Sequence, residues 1–192
     1  MIIDGRDSAS RRMITGRWRG GMIGGGAMND ISVSIQPEAP DDAVAIERLH
    51  ERTFGPGRHA KTAYRLREQV DHIRELSFTA RIGTLLIGSV WLSPIRIGET
   101  KALLLGPVTV EPAFRDQGVG QALIERALRQ AKDKGHRLVV LIGDEAYYEK
   151  CGFKRIPRGR AIMPGPVDPA RLLLAELAEG AFEGVSGPIR PD

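Results

Sequence analysis

Six residues near the middle of the chain, Arg115-Asp116-Gln117-Gly118-Val119-Gly120, have the types and spacing of a phosphate-binding loop. They follow an apolar run, Leu103 to Val110, and a turn carrying Glu111 and Pro112, and a helix-patterned segment begins directly after them. A strand feeding a glycine-containing loop at a helix N-terminus aims several backbone N–H groups the same way. The helix dipole favours negative charge there, so a pyrophosphate fits. Gly118 and Gly120 let the backbone approach phosphates with no Cβ in the way. The loop lacks Gly-x-x-x-x-Gly-Lys-Ser/Thr, which excludes a Walker-type nucleotide site. It also lacks the third glycine and the downstream ribose-binding acid of a dinucleotide fingerprint. Taken alone, the loop is equally read as a helix start that binds nothing.

The flanking elements must hold this loop in place. Ala122, Leu123, Ala127, Leu128 and Ala131 recur at helical spacing across residues 121–134, and Gly135 supplies a stop. Leu138 to Ile142 is a short apolar run that reads as a buried strand. Upstream, Ile31 to Ile35 alternates as a strand. Pro40-Asp41-Asp42 opens a helix to about Thr53, with Asp41 or Asp42 as cap and Ala43, Ile46 and Leu49 on one face. Gly55-Pro56-Gly57 breaks it, and a second helix spans about 61–68. Strands are expected at about 76–82, 84–92 and 102–110, with a turn at Gly83 and a loop from Pro94 to Thr100.

A second motif follows at a fixed distance: Ala146-Tyr147-Tyr148-Glu149-Lys150-Cys151-Gly152-Phe153. Arg-x-x-Gly-x-Gly before a helix, then Tyr-Tyr-x-x-x-Gly-Phe after the next strand, resembles the GNAT superfamily of N-acetyltransferases. The resemblance covers roughly residues 31–177. Gly143-Asp144-Glu145-Ala146-Tyr147-Tyr148 is similar to a bacterial YhbS-type branch. It implies a single α/β domain with a mixed, mostly antiparallel central sheet flanked by helices. It also implies a strand at 170–178, although ARLLLAELA has helical propensity.

The implied function is acetyl transfer from acetyl-CoA to a primary amine, by direct attack in a ternary complex. Such a transfer needs a neutral amine, a polarised carbonyl and a proton for the departing thiolate. On the resemblance, the backbone of Val108, Thr109 and Val110 takes the pantetheine arm and the thioester carbonyl. Residues Gln117, Gly118, Val119 and Gly120 take the pyrophosphate, beside Asp116, with Arg115 adding charge. Tyr148 matches the general-acid tyrosine, since a phenol with pKa near 10 is protonated at neutral pH; packing against the cofactor is the alternative. Tyr147 and Phe153 read as packing. Glu111 is a candidate base, through water, or else a solvated turn carboxylate. Asp144 is a second candidate base or an ordinary turn residue. Arg58, His59 and Tyr64 are candidates for the acceptor side. A non-catalytic acyl-CoA-binding or partner-binding module on the same fold is the competing function.

Composition restricts the alternatives. The 192 residues, 42% hydrophobic and 27% charged, suit one globular domain. The net charge of +4 sits mostly in residues 1–27, where five arginines oppose two aspartates. That segment is glycine-rich and aperiodic and is expected to be disordered, with the domain over 28–192 and Met28 as a candidate start. The near-neutral remainder argues against nucleic acid as a partner. No apolar run reaches the ~20 residues of a membrane span, and the first residues lack the apolar core of a signal peptide. With the single cysteine, Cys151, this leads to a cytoplasmic expectation. Cys151 itself reads as a small buried residue. His50, His59, His72 and His136 show no metal-ligand spacing and read as surface or helix-face residues. Homodimerisation and the identity of the amine are left open by the sequence.

Overall fold

The computed structural model describes residues 32–55, 62–67 and 69–192. The extension at 1–27, Met28, Arg58 and His59 lie outside the described residues, as does the side chain of Tyr64. Strands β1 (Val33–Pro37), β2 (Phe78–Ile82), β3 (Leu85–Ile97), β4 (Thr100–Val110) and β5 (Leu138–Ile142) build the sheet with β6 (Lys154–Arg155) and β8 (Leu172–Glu176), in the order β1-β2-β3-β4-β5-β8-β6. Strand β9 (Gly187–Pro191) adds to β3, and β7 (Ala161–Ile162) pairs with β9. Pairing is antiparallel except for β4 with β5 and β7 with β9. The expected mixed, mostly antiparallel sheet is therefore present, with helices α1 (Ala43–Phe54), α2 (Thr62–Arg67), α3 (Val119–Asp133) and α4 (Glu145–Tyr148) around it.

Alternation assigns the two faces of the sheet. Leu103, Leu105, Val139, Leu141 and Leu173 pack with Val119, Leu123, Ala127 and Ala131 of α3. Leu104, Val140, Leu172 and Leu174 pack on the other face with Leu66 of α2 and with Ile189 of β9. The segment with helical propensity near residue 172 is a strand because both its faces are buried, between β5 and β6. Among the described residues no helix is long and apolar enough to cross a membrane, and no group of His, Cys, Asp and Glu is arranged to hold a metal ion.

Three local expectations need correction. The loop expected from Pro94 to Thr100 is strand: β3 runs through Pro94 to Ile97, and the turn shrinks to Gly98 and Glu99, with Gly98 at φ 56°. Asp42 does not cap α1 with its side chain; its Oδ2 accepts from the N–H of Ala39, three residues back, across a 3₁₀ turn. His50 is not at the surface. It is fully buried on the inward face of α1, with its Nε2 3.2 Å from Ser89 Oγ.

His50 also stands edge-on to Trp91, ring centroids 4.7 Å apart, and His72 stacks on the other side of Trp91 at 4.3 Å. The buried Glu38 ties this group together. Its Oε2 accepts from Trp91 Nε1 at 2.7 Å and its Oε1 lies 2.9 Å from His72 Nε2. This cluster ties α1 and the loop before β2 to β3.

Candidate active site

The pairing between β4 and β5 is short. Leu103 faces Val139 and Leu104 faces Val140, and beyond these pairs the strands part. On its other edge β4 stays paired with β3 as far as Val110. From Leu105 to Val110 the β5-facing edge of β4 thus has no strand partner among the described residues, and its peptide groups face the gap. A bulge sharpens the divergence: Val90 pairs with Val108 but Leu92 with Leu105, so Gly106 and Pro107 oppose the single residue Trp91. Gly106 has φ 120°, a value that only glycine adopts readily, and its peptide bond to Pro107 is cis.

The gap opens into a cleft of about 480 Å³. Val108 and Val110 form one wall, and Arg115, Asp116, Gly118, Val119 and Gly120 border it at the start of α3. The first helical bond of α3 runs from Ala122 N to Gly118 O at 3.0 Å. The N–H groups of Val119, Gly120 and Gln121 are therefore left for a ligand, at the positive end of a 15-residue helix. Gly118 has φ 79°, and a Cβ there would meet nothing within 4 Å, so bare backbone fronts open space. Gly120 differs, because a Cβ there would collide with the hydroxyl of Tyr147.

Tyr148 completes the cleft. It is carried by α4, which Asp144 starts: Oδ1 accepts from Ala146 N at 3.2 Å, and the Asp144 carbonyl accepts from Tyr147 N and Tyr148 N. Asp144 is thus a helix cap, the turn role among its two readings. The Tyr148 ring rests on Gly143, where a Cβ would enter the ring, and meets Phe153 and Tyr147 edge-on. Burial pushes its phenol up from 10.0 to about 12, reinforced by Tyr147 and Cys151, while Arg67 and Arg171 pull it down. The proton is held firmly at neutral pH.

Of the remaining expected residues, Thr109, Gln117 and Glu111 stay out of the cleft lining. Thr109 turns its side chain into the buried interior opposite Ser89 in register. Gln117 donates its amide to Ala113 O at 3.2 Å. Glu111 stands just past Val110, and both contacts from Arg52 of α1 fall on its Oε1, that from Nε at 3.0 Å. Cys151 is half-buried, and burial raises its thiol pKa, so it is no ready nucleophile. Sequence reasoning missed Thr53, Phe114, Gln121 and Lys150, which also line the cleft. Lys150 had a readable signal, being a cation inside the second motif.

The comparisons with known proteins agree with this geometry. The model of the Acetyltransferase (GNAT) family matches residues 43–153. The uncharacterized N-acetyltransferase YhbS of Escherichia coli K12 is 30% identical over 155 residues, spanning 80% of this chain and 92% of that protein. The crystal structure of Escherichia coli YhbS in complex with CoA superposes with a TM-score of 0.70 at 27% identity, over 83% of this chain and 89% of that one. A GNAT family acetyltransferase from Brucella melitensis in complex with acetyl-CoA gives 0.55 at 29% identity, over 79% and 98%.

Proposed function

The chain belongs to the acetyltransferase (GNAT) family, and on that premise we propose that it transfers an acetyl group from acetyl-CoA to a primary amine by direct attack in a ternary complex. The observation that carries this reading is the parting of β4 from β5 with Tyr148 at the mouth of the gap. The residues fit the donor. The unpaired edge of β4 at Val108 to Val110 offers peptide groups to an amide-bearing arm. The free N–H groups of Val119, Gly120 and Gln121 suit a pyrophosphate, and Arg115 and Lys150 add positive charge beside them.

When bound, acetyl-CoA supplies an activated acyl group and a thiolate leaving group. The chain's part is to position and to move protons. The Tyr148 phenol keeps its proton well above neutral pH and donates it to the leaving sulfur. We assign proton removal from the amine to Glu111 acting through a water. Its Oε1 is committed to Arg52, and its Oε2 is the oxygen left to accept. Val108 and Val110 give the reacting carbonyl an apolar wall on one side.

The test is release of free CoA by the purified protein across a panel of amines, with product mass checked. Amine-dependent CoA release with an acetylated product is expected. Acetyl-CoA binding without turnover of any amine would replace the enzyme with a binding module.

A further inference from the structure

Tyr147, a packing residue on the sequence pattern, puts its hydroxyl where the glycine loop becomes helix. It is carried by α4 and lines the cleft, with 40% of its surface exposed. A Cβ on Gly120 would collide with its Oη, while the ring carbon bearing that oxygen stands 3.7 Å from the same point. The hydroxyl, not the ring, therefore leads towards the first turn of α3. The side chain of Val110, the last residue of β4, lies 3.6 Å from that point as well. The phenol oxygen thus sits close to where the unpaired edge of β4 meets the free N–H groups of Val119, Gly120 and Gln121. Among the described residues it has no hydrogen-bond partner. Lys150, three residues on, lines the same cleft and has no carboxylate on it among the described residues. The second motif therefore brings a hydroxyl and a cation to a cleft that also receives the N-terminus of α3. All three favour an anionic part of a ligand. Burial raises the pKa of the Tyr147 phenol, with Cys151 and Asp116 adding to it, so the O–H is present as a donor at neutral pH.

We propose that Tyr147 is a ligand of the donor's diphosphate, its O–H acting as a side-chain donor beside the backbone N–H groups of α3. This rests on the acetyl-CoA reading above and adds a residue that selects among donors. A thioester carrying a diphosphate is favoured over one that ends at pantetheine. A hydrogen bond to a phosphate oxygen is charge-assisted, and stronger than one to the neutral amides of the pantetheine arm. Glycine at 120 is what admits the hydroxyl, since a Cβ there would take its place.

The experiment compares the full-length protein with Tyr147→Phe, which keeps the ring beside Tyr148 and removes only the oxygen. Dissociation constants are measured by calorimetry for CoA and for dephospho-CoA, which keeps the diphosphate and lacks the 3′-phosphate. Pantetheine is measured by its displacement of CoA. In Tyr147→Phe, affinity for CoA and for dephospho-CoA should each fall about tenfold, while affinity for pantetheine stays within about twofold and Tm is unchanged. An equal loss for pantetheine would place the hydroxyl on the arm. A loss for CoA alone would place it on the 3′-phosphate. Either result overturns the proposal, as does unchanged affinity for all three ligands. Binding is read without an acceptor, so absence of turnover would leave this inference standing while the enzyme reading fell. Failure of the wild-type protein to bind CoA would overturn the donor reading and this one together.

Discussion

The hydroxyl of Tyr147 occupies the place where a Cβ on Gly120 would stand. The two motifs of this chain, the glycine loop and the paired tyrosines, are in contact at that point, and neither can change without the other.

The glycines therefore fail differently. Gly120 sits in the first turn of α3, and Gly120→Val would drive Tyr147 from its position and fill the cleft beside the free N–H groups. Acetyl-CoA affinity should fall at least tenfold by calorimetry, with the fold kept. Gly118→Ala meets no atom, so its cost is the left-handed backbone alone, about 1 kcal/mol, seen as a small drop in Tm. Unchanged affinity in a folded Gly120→Val protein would take the loop out of the donor site.

Tyr148→Phe keeps the ring on Gly143 and removes the proton donor. We expect kcat to fall by roughly 10²–10⁴ with acetyl-CoA affinity nearly unchanged. A kcat within a few-fold of wild type, with chemistry shown to be rate-limiting in single turnover, sinks the general-acid role.

The same phenol sets an alkaline dependence. Its folded-state pKa, about 12, lies above the ordinary value of 10.0. Below pH 10 both states hold the proton and the full contribution is present. Between pH 10 and about 12 the unfolded chain releases it first, so stability is lost as pH rises, by roughly 2–3 kcal/mol at most. Denaturant unfolding from pH 9 to 11.5 should show a steeper decline for wild type than for Tyr148→Phe. Parallel declines would contradict the buried, protonated phenol.

Glu111→Gln retains an acceptor for Arg52 and removes the basicity of the carboxylate. If Glu111 draws the amine proton through water, kcat/KM at neutral pH should drop by about 10², while melting temperature changes little. A variant as active as wild type would return Glu111 to a purely structural pairing with Arg52.

Trp91→Phe deletes the N–H that the buried Glu38 accepts on Oε2 at 2.7 Å. Leaving that oxygen unsatisfied should cost about 1–3 kcal/mol in denaturant unfolding. A loss below 0.5 kcal/mol would mean that water reaches Glu38.

The cleft was legible where local signals coincide. The loop, the α3 stripe and the strand over 138–142 each follow from short-range periodicity, and the structure keeps them. The strand at 172–176 needed the family resemblance, because leucine-rich local propensity points to a helix and only burial on two faces overrides it. Pro94 misled as a loop signal. The proline is held in a long strand whose outer half pairs with both β4 and β9, and nothing local announces a partner 96 residues away.

The seam between β4 and β5 has a mechanical meaning as well. Strands β1 to β4 form one leaf of the sheet and β5, β6 and β8 the other, and Leu103–Val139 and Leu104–Val140 are the two register pairs that stitch them. A molecule lying along the gap would touch both leaves and act as a clasp. Amides flanking the seam should then exchange with deuterium more slowly when the cleft is filled, while those between β2 and β3, far inside one leaf, keep their pace.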